Sequence, residues 1–408
     1  MRSFTLVLAL TLTISVHAQE WSRFRGPNGT GISDATTIPT AWTDKDFLWN
    51  VPIPGIGHSS PVVWGDKVFV TSAEKMSGKR LVLCLDATTG KTRWQKEFDA
   101  SSYKTHQRNS IASSTPAVDA DYVYVAWATP EKLTLMALSH DGQIVWQNDH
   151  GPFKSQHGFG VSPIVLDDLV ILPNDQDNGG SIIAVQAKTG KLYWTLPRHP
   201  KNATYSTPCV YQPQGQSPLL IFTNWQHGVS AIDPKTGKTK WELSVFEVNK
   251  PERAVASPVI AGELILATCG FVTAQKHFVA VKPPDGDGKP TEVWRLEKAV
   301  SYLPTPLVKG DLVFLCSEVG MATCLHAKTG KIVWQERVGE NFSASPVCVG
   351  ERIYCVGNDG SVVVLAASEK FQVLANNALG EPTQSTPAIS GGRMFLRTEA
   401  HLIAIGGK

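Results

Sequence analysis

The sequence predicts an all-β protein: an eight-bladed β-propeller of four-stranded antiparallel blades, closed by pairing of its N- and C-terminal strands. Three observations carry this. The first is composition. Among 408 residues stand 12 Trp, 34 Gly and 26 Pro, with charged residues at only 18%. Short strands joined by tight turns use that mix; helices do not. The second is a repeat. Ser/Thr-Pro followed by an apolar residue recurs at Pro61, Pro116, Pro163, Pro208, Pro258, Pro306, Pro346 and Pro387, at intervals of 40 to 55 residues. The third is what lies between these steps. Two apolar runs are hinged at a turn such as Gly65-Asp66 or Gly350-Glu351. A third run such as Leu81 to Asp86 follows, then a Thr-Gly-Lys turn, then a run bearing Trp.

The chain opens with Arg2, an apolar run from Phe4 to Val16, and the small-residue close Val16-His17-Ala18. This pattern predicts a signal peptide over 1–18, cleaved after Ala18, and export to the periplasm or the cell exterior. The run is short of the roughly 20 residues that a spanning helix needs. No Cys follows it to carry a lipid anchor, and no later run is apolar enough to span a membrane. Residues 19–46 carry three aromatics, Trp21, Phe24 and Trp42, among Gly, Pro and Thr, and are expected to lie across the ring as a strap.

The propeller fills 47–408. Clear copies of the turn and Trp run from Ala87 to Trp94, Lys188 to Trp194, Lys235 to Trp241 and Lys328 to Trp334. Looser ones are Asp141-Gly142-Gln143 before Trp146 and Asp287-Gly288-Lys289 before Trp294; in the seventh, Phe371 to Leu374 replaces the Trp. The Gly supplies the positive φ of the turn. Trp49, Trp94, Trp146, Trp194, Trp241, Trp294 and Trp334 are assigned to docking blade against blade, each a large apolar surface with one N–H to satisfy. The eighth repeat has Thr386-Pro387, Arg393 to Thr398 and His401 to Ile405 but no fourth strand. An isolated strand, Phe47 to Val51, stands near the other end with Trp49 at the matching place, so the termini complete one blade together. Closure of this kind removes open sheet edges; a seven-bladed ring would leave both pieces unpaired.

The seven cysteines, Cys84, Cys209, Cys269, Cys316, Cys324, Cys348 and Cys355, lie mostly in apolar runs and match no zinc spacing. They read as buried free thiols. Cys348 and Cys355 flank one hairpin and are the pair expected to meet if any does. A net charge of +2 excludes nucleic acid as a partner, which calls for a clear basic excess. A monomer is expected.

The Ala/Ile-x-Asp-x-x-Thr-Gly-Lys-x-x-Trp pattern resembles the pyrroloquinoline-quinone-like (PQQ-like) β-propeller repeat over essentially all of 47–408. Trp21-Ser22-Arg23-Phe24-Arg25-Gly26-Pro27-Asn28-Gly29 resembles the lead-in of exported planctomycete-type propellers. Two other groups share the ring: the quinoprotein alcohol dehydrogenases, and the propeller lipoprotein of the outer-membrane barrel-assembly machinery, a non-catalytic scaffold. The resemblance to the dehydrogenases implies an adjacent Cys-Cys over the cofactor, calcium ligands and a catalytic Asp. No Cys-Cys occurs here, and no calcium-and-base constellation stands out. The lipoprotein's lipidated Cys is missing as well.

Segments just ahead of each first strand crowd one mouth of a propeller channel. Here they carry His58, His106, Arg108, Asn109, Gln156, His157 and Tyr205; Asp175 and Gln176 follow a strand of blade three, and Arg198 follows Trp194. The resemblance implies His106, Asn109, His157, Asp175, Gln176 and Arg198 as the channel-mouth set. Two readings stand. The set forms a pocket for a polar or anionic ligand or a peptide, with Arg as a bidentate donor and His as a switchable one; or its members satisfy one another and the loop backbone. A metal on His106 and His157 lacks a third ligand, and Ser59, Ser60, Ser113 and Ser114 belong to the Ser-Pro repeat rather than to a nucleophile. No catalytic residue and no metal site is assigned. The function expected is an exported, non-catalytic binding or scaffold propeller of the cell envelope, without cofactor, whose partner is an envelope protein or a small polar ligand. The alternatives are a PQQ-dependent dehydrogenase, which would bind that quinone in its channel, and a carbohydrate- or peptide-recognition propeller.

Overall fold

The structure, a computed structural model, describes residues 20–246, 252–271, 275–286 and 288–407. The signal-peptide expectation for 1–18 and Asp287 of the fifth Gly turn lie outside them. Eight four-stranded antiparallel blades form the ring, each running from a short inner strand to an outer one. Blade 1 is Val62–Trp64, Lys67–Ala73, Arg80–Asp86 and Thr92–Phe98. Blade 8 takes Ala388–Ser390, Arg393–Arg397 and His401–Gly406 from the C-terminal end and Phe47–Pro52 from the N-terminal end, with Trp49 opposite Ala404 and Pro52 opposite His401. The ring therefore closes by strand pairing.

Strand alternation explains why the second and third strands read as unbroken apolar runs. Successive side chains point to opposite faces, and in a propeller each face meets a different neighbour. Val68 and Val70 pack toward blade 8 with Phe395 and Ile403, while Phe69 packs toward blade 2 with Val123 and Met136. The core is thus a circle of inter-blade seams, and no strand face is left for solvent until the outermost strand, where burial falls to alternation.

The outermost strands share one irregularity. Register slips by a residue just ahead of the Trp, at Arg93, Val145, Tyr193, Lys240, Val293 and Val333. Such a bulge re-aims the next side chain. It turns each indole onto the following blade: Nε1 of Trp49, Trp94, Trp146, Trp194, Trp294 and Trp334 donates to Ala87, His140, Ala187, Pro234, Ala327 and Ser368 carbonyls at 2.8–3.2 Å. Trp241 lies 9% exposed in the blade 4–5 seam. The indole rests on the glycine of the neighbour's turn. At Gly190, φ is +69° and a Cβ would stand 2.6 Å from the Trp146 ring.

Hydroxyls of the Ser/Thr-Pro steps link neighbouring inner strands at seven seams. Backbone N–H of Ser60 donates to Thr115 Oγ1, Thr115 to Ser162, Thr207 to Ser257, Ser257 to Thr305, Thr305 to Ser345, Ser345 to Thr386, and Thr386 back to Ser60, at 2.9–3.2 Å. Every hydroxyl in this circle is 6% exposed or less.

Segment 20–46 crosses the axis. Trp21 bridges Val63 of blade 1, and Ser22 O accepts from Val118 of blade 2. Arg23 donates to Pro208 O of blade 4; Arg25 donates to Thr305 O and Pro306 O at the head of blade 6's inner strand. Ile32–Ser33 then pairs in parallel with Val347–Val349 of blade 7. Arg23 and Arg25 are buried, and burial lowers their pKa values to about 10 and about 9, so both remain cations.

Candidate functional site

The ring encloses an axial cavity of about 400 Å³. Ser60, Thr115, Ser162, Thr207, Thr305, Ser345 and Thr386 of the Ser/Thr-Pro steps line it together with Phe24 from the crossing segment. Its wall is built from the segments ahead of the first strands: His58 (blade 1), His106 and Asn109 (blade 2), His157 (blade 3), Tyr205 (blade 4), Arg253 (blade 5) and Tyr302 (blade 6). Ser/Thr-Pro at each step forces extended backbone at the hydroxyl residue, which is why every blade delivers its preceding segment to the same end.

The histidines sit close. His106 and His157 rings lie 4.7 Å apart, edge to face. Backbone N–H of His106 donates to His157 O at 3.3 Å, and His106 Nδ1 accepts from Arg108 N–H at 3.2 Å. Asn109 Nδ2 donates to the His157 and Phe159 carbonyls at 2.8 and 3.2 Å, so it ties the blade 2 segment to that of blade 3. Burial, then Arg253 and His106, push His157 down to about 4; burial, then Arg397, do the same to His58. Both are neutral at pH 7 and can donate and accept. Burial pushes Tyr205 up to about 12, and its hydroxyl lies 2.9 Å from Ser155 Oγ.

Arg253, 5% exposed, donates to Ala203 O at 3.1 Å, Gln156 Oε1 at 3.3 Å and Asp177 Oδ1 at 3.4 Å. It joins blades 3, 4 and 5 at the wall. Sequence reasoning passed over it and the two aromatics near it, Phe271 and Tyr302. The signal available for Arg253 and Tyr302 was position, since each stands within five residues of a Ser/Thr-Pro proline.

The six candidate residues separate into two groups. His106, Asn109 and His157 line the cavity. Asp175, Gln176 and Arg198 are absent from its lining and brace the wall from behind. Arg198 Nε meets Asp175 Oδ1 at 3.1 Å with both side chains under 5% exposed, and Asn224 Nδ2 donates to Asp175 Oδ2 at 2.7 Å. The pair joins two strands of blade 3, and Asn224, with Ser230 accepting from Arg198 Nη1 at 3.4 Å, ties it to blade 4. Gln176 accepts from Lys154 N–H and donates to Pro152 O, holding the loop that leads to His157. The cysteine expectation also changes: Cys355 meets Cys316, with Sγ atoms 2.9 Å apart, while Cys348 Sγ turns to Gly350 O.

No carboxylate is among the described lining residues, which include Arg108, Arg253 and neutral imidazoles. The cavity can therefore hold an anion or a hydrogen-bonding group. It does not fit a calcium-assisted quinone. Among the described residues no cluster of three or more His, Cys, Asp and Glu is placed to hold a metal, and no carboxylate on the wall can act as base. No helix among the described residues is long and apolar enough to cross a membrane.

The fold and cavity define an eight-bladed propeller of the PQQ-like repeat class with a stopped axial channel. The chain belongs to the family described as outer membrane protein assembly factor BamB, whose model matches residues 34–108, 78–283 and 275–406. It is 22% identical to outer membrane protein assembly factor BamB of Yersinia pestis over 362 residues, covering 86% of this chain and 75% of that protein. The crystal structure of BamB from Moraxella catarrhalis superposes with a TM-score of 0.63 at 14% identity, covering 88% of this chain and 97% of that one. A europium-containing methanol dehydrogenase superposes at 0.68 and 13% identity, covering 94% and 90%. Likeness at that identity is likeness of fold, and fold does not set function.

Proposed function

We propose that this chain is an exported, non-catalytic propeller of the cell envelope that binds and positions a partner protein. The observation that carries the reading is closure: a ring sealed by its own termini, with its axial cavity stopped by Phe24, beside membership in a family described as an outer membrane assembly factor. A rigid closed ring gives a partner a fixed frame at little ordering cost. The wall side chains support it, since Asn109 is committed to backbone carbonyls and Arg253 to a carbonyl and neighbouring side chains. In the test, the full chain is cross-linked in an envelope extract of its own organism, with and without PQQ, and the captured protein is purified and rebound. Quinone-independent rebinding is expected. Substrate-dependent dye reduction by the purified chain with added PQQ and calcium would overturn the reading.

A second reading, retention of a small anion in the cavity, is favoured by the carboxylate-free lining with Arg108 and the neutral histidines. Titration with citrate checks it. Binding that His106→Ala and His157→Ala together weaken tenfold, with no drop in melting temperature, is expected; citrate heats no greater than those of a cationic control reject it.

A further inference from the structure

Cys316 ends the second strand of blade 6, Leu312–Cys316, and Cys355 lies in the second strand of blade 7, Arg352–Val356. The two are 39 residues apart in sequence and belong to one seam, packed with Phe314, Ile353 and Val363. Both are buried, at 2% and 1% exposure. Their sulfurs stand 2.9 Å apart, closer than unbonded sulfurs rest but beyond the roughly 2.0 Å of a bond. Cys324 and Cys348 share this seam, with Cys348 Sγ turned to Gly350 O, while Cys84 lies between blades 1 and 2 and Cys209 and Cys269 between blades 4 and 5.

We propose that Cys316 and Cys355 form a disulfide that ties blade 6 to blade 7. The step balances as thiol–disulfide exchange. Two S–H bonds break and one S–S bond forms, and the two protons and two electrons pass to a disulfide oxidant that leaves as a dithiol. In the cell the proposal rests on the export reading above, because exported compartments supply such oxidants. The geometry also sets when the bond forms. The thiolate is the reacting species, and in the closed seam the neighbouring Cys316 and burial hold the Cys355 thiol well above its ordinary value. Exchange therefore precedes docking of blade 7 on blade 6, while the strands are still open to the oxidant. Once docked, the bond is shielded from reductants. The seam next to it, where blade 7 meets blade 8, is held without a covalent tie and is covered by segment 20–46 instead.

The test is a thiol map of the full chain. The protein is matured in an oxidising periplasm, and separately refolded in a glutathione redox buffer. Each sample is denatured, alkylated without reductant, digested and weighed. A Cys316–Cys355 cross-linked peptide two hydrogens lighter than its parts is expected, with the five other of the seven cysteines alkylated. Cys348→Ser keeps the cross-link and Cys316→Ser removes it; should Cys316→Ser fail to accumulate, the wild-type map still decides. Reduction is expected to lower the melting temperature by about 5 °C. Full alkylation of Cys316 and Cys355 in the refolded chain, or a cross-link joining Cys355 to Cys348, overturns the proposal. A cross-link in the refolded chain with free thiols in the cellular one upholds the proposal and counts against export.

Discussion

Arg198 and Asp175 show why a polar residue near a channel mouth need not serve a ligand. Both are nearly fully buried, and each is the other's charge partner. Removing one leaves an uncompensated buried charge, which costs about 3–5 kcal/mol. Arg198→Ala is expected to lower stability by that amount in urea unfolding while leaving citrate retention and partner rebinding at wild-type levels among molecules still folded. Loss of binding at unchanged stability would move Arg198 into the site. His58 and His157 carry a second residue-scale prediction. Their folded pKa values, about 4, lie below the ordinary 6.5 because burial, with Arg397 or Arg253 nearby, disfavours the cation. The unfolded chain therefore binds protons first as pH falls. Stability contributed by the neutral rings is whole above about 6.5, declines as pH drops toward about 4, and flattens below. Melting temperatures across that window check it, and His58→Gln is expected to flatten the decline.

At the scale of the element, indole, bulge and glycine turn work as one part. Gly190 is held at φ +69° beneath the Trp146 ring, whereas Gly65, at φ +56°, has open space where its Cβ would stand. Gly65→Ala meets only the left-handed backbone cost of roughly 1–2 kcal/mol. Gly190→Ala adds a clash in a packed seam and is expected to cost about 2–5 kcal/mol in all. Chemical denaturation of the two variants measures the difference, and equal losses would deny the docking role. The Thr-Gly-Lys copies and their Trp residues were legible because a repeat prints the same local physics many times. The bulge before each Trp was not: it depends on the partner strand's register, which no single run displays. The hydroxyl circle was half legible. Its Ser/Thr residues marked the period, but their acceptor role lies one blade away. Thr115→Val keeps the shape and leaves the Ser60 N–H without its acceptor, a loss of about 1–3 kcal/mol. Thr115→Ser is expected to restore most of it, read from the same denaturation curves.

For the whole molecule, ring closure was readable from a missing strand at one end and a spare one at the other, because an unpaired edge is costly wherever it falls. The cavity was harder to read. Its wall is assembled from residues as far apart as His58 and Tyr302, and burial alone separates His106 and His157, which line it, from Asp175 and Arg198, which brace it. The crossing segment depends on the same long-range assembly, and Arg25 is its anchor. Its guanidinium, fully buried, donates to Gly29 and Thr30 carbonyls of its own segment and to Thr305 and Pro306 carbonyls of blade 6. Those bonds hold both sides of the contact at once, so one residue fixes the segment's fold and its seat. Arg25→Ala leaves buried carbonyls without donors and is expected to cost about 2–4 kcal/mol. The loss should be local. Blade 8 still closes through Phe47–Pro52, so the far-ultraviolet β signal is kept, while limited proteolysis within 20–46 accelerates at least tenfold. Proteolysis spread evenly over the blades would mean that the segment holds the ring together rather than stopping its channel.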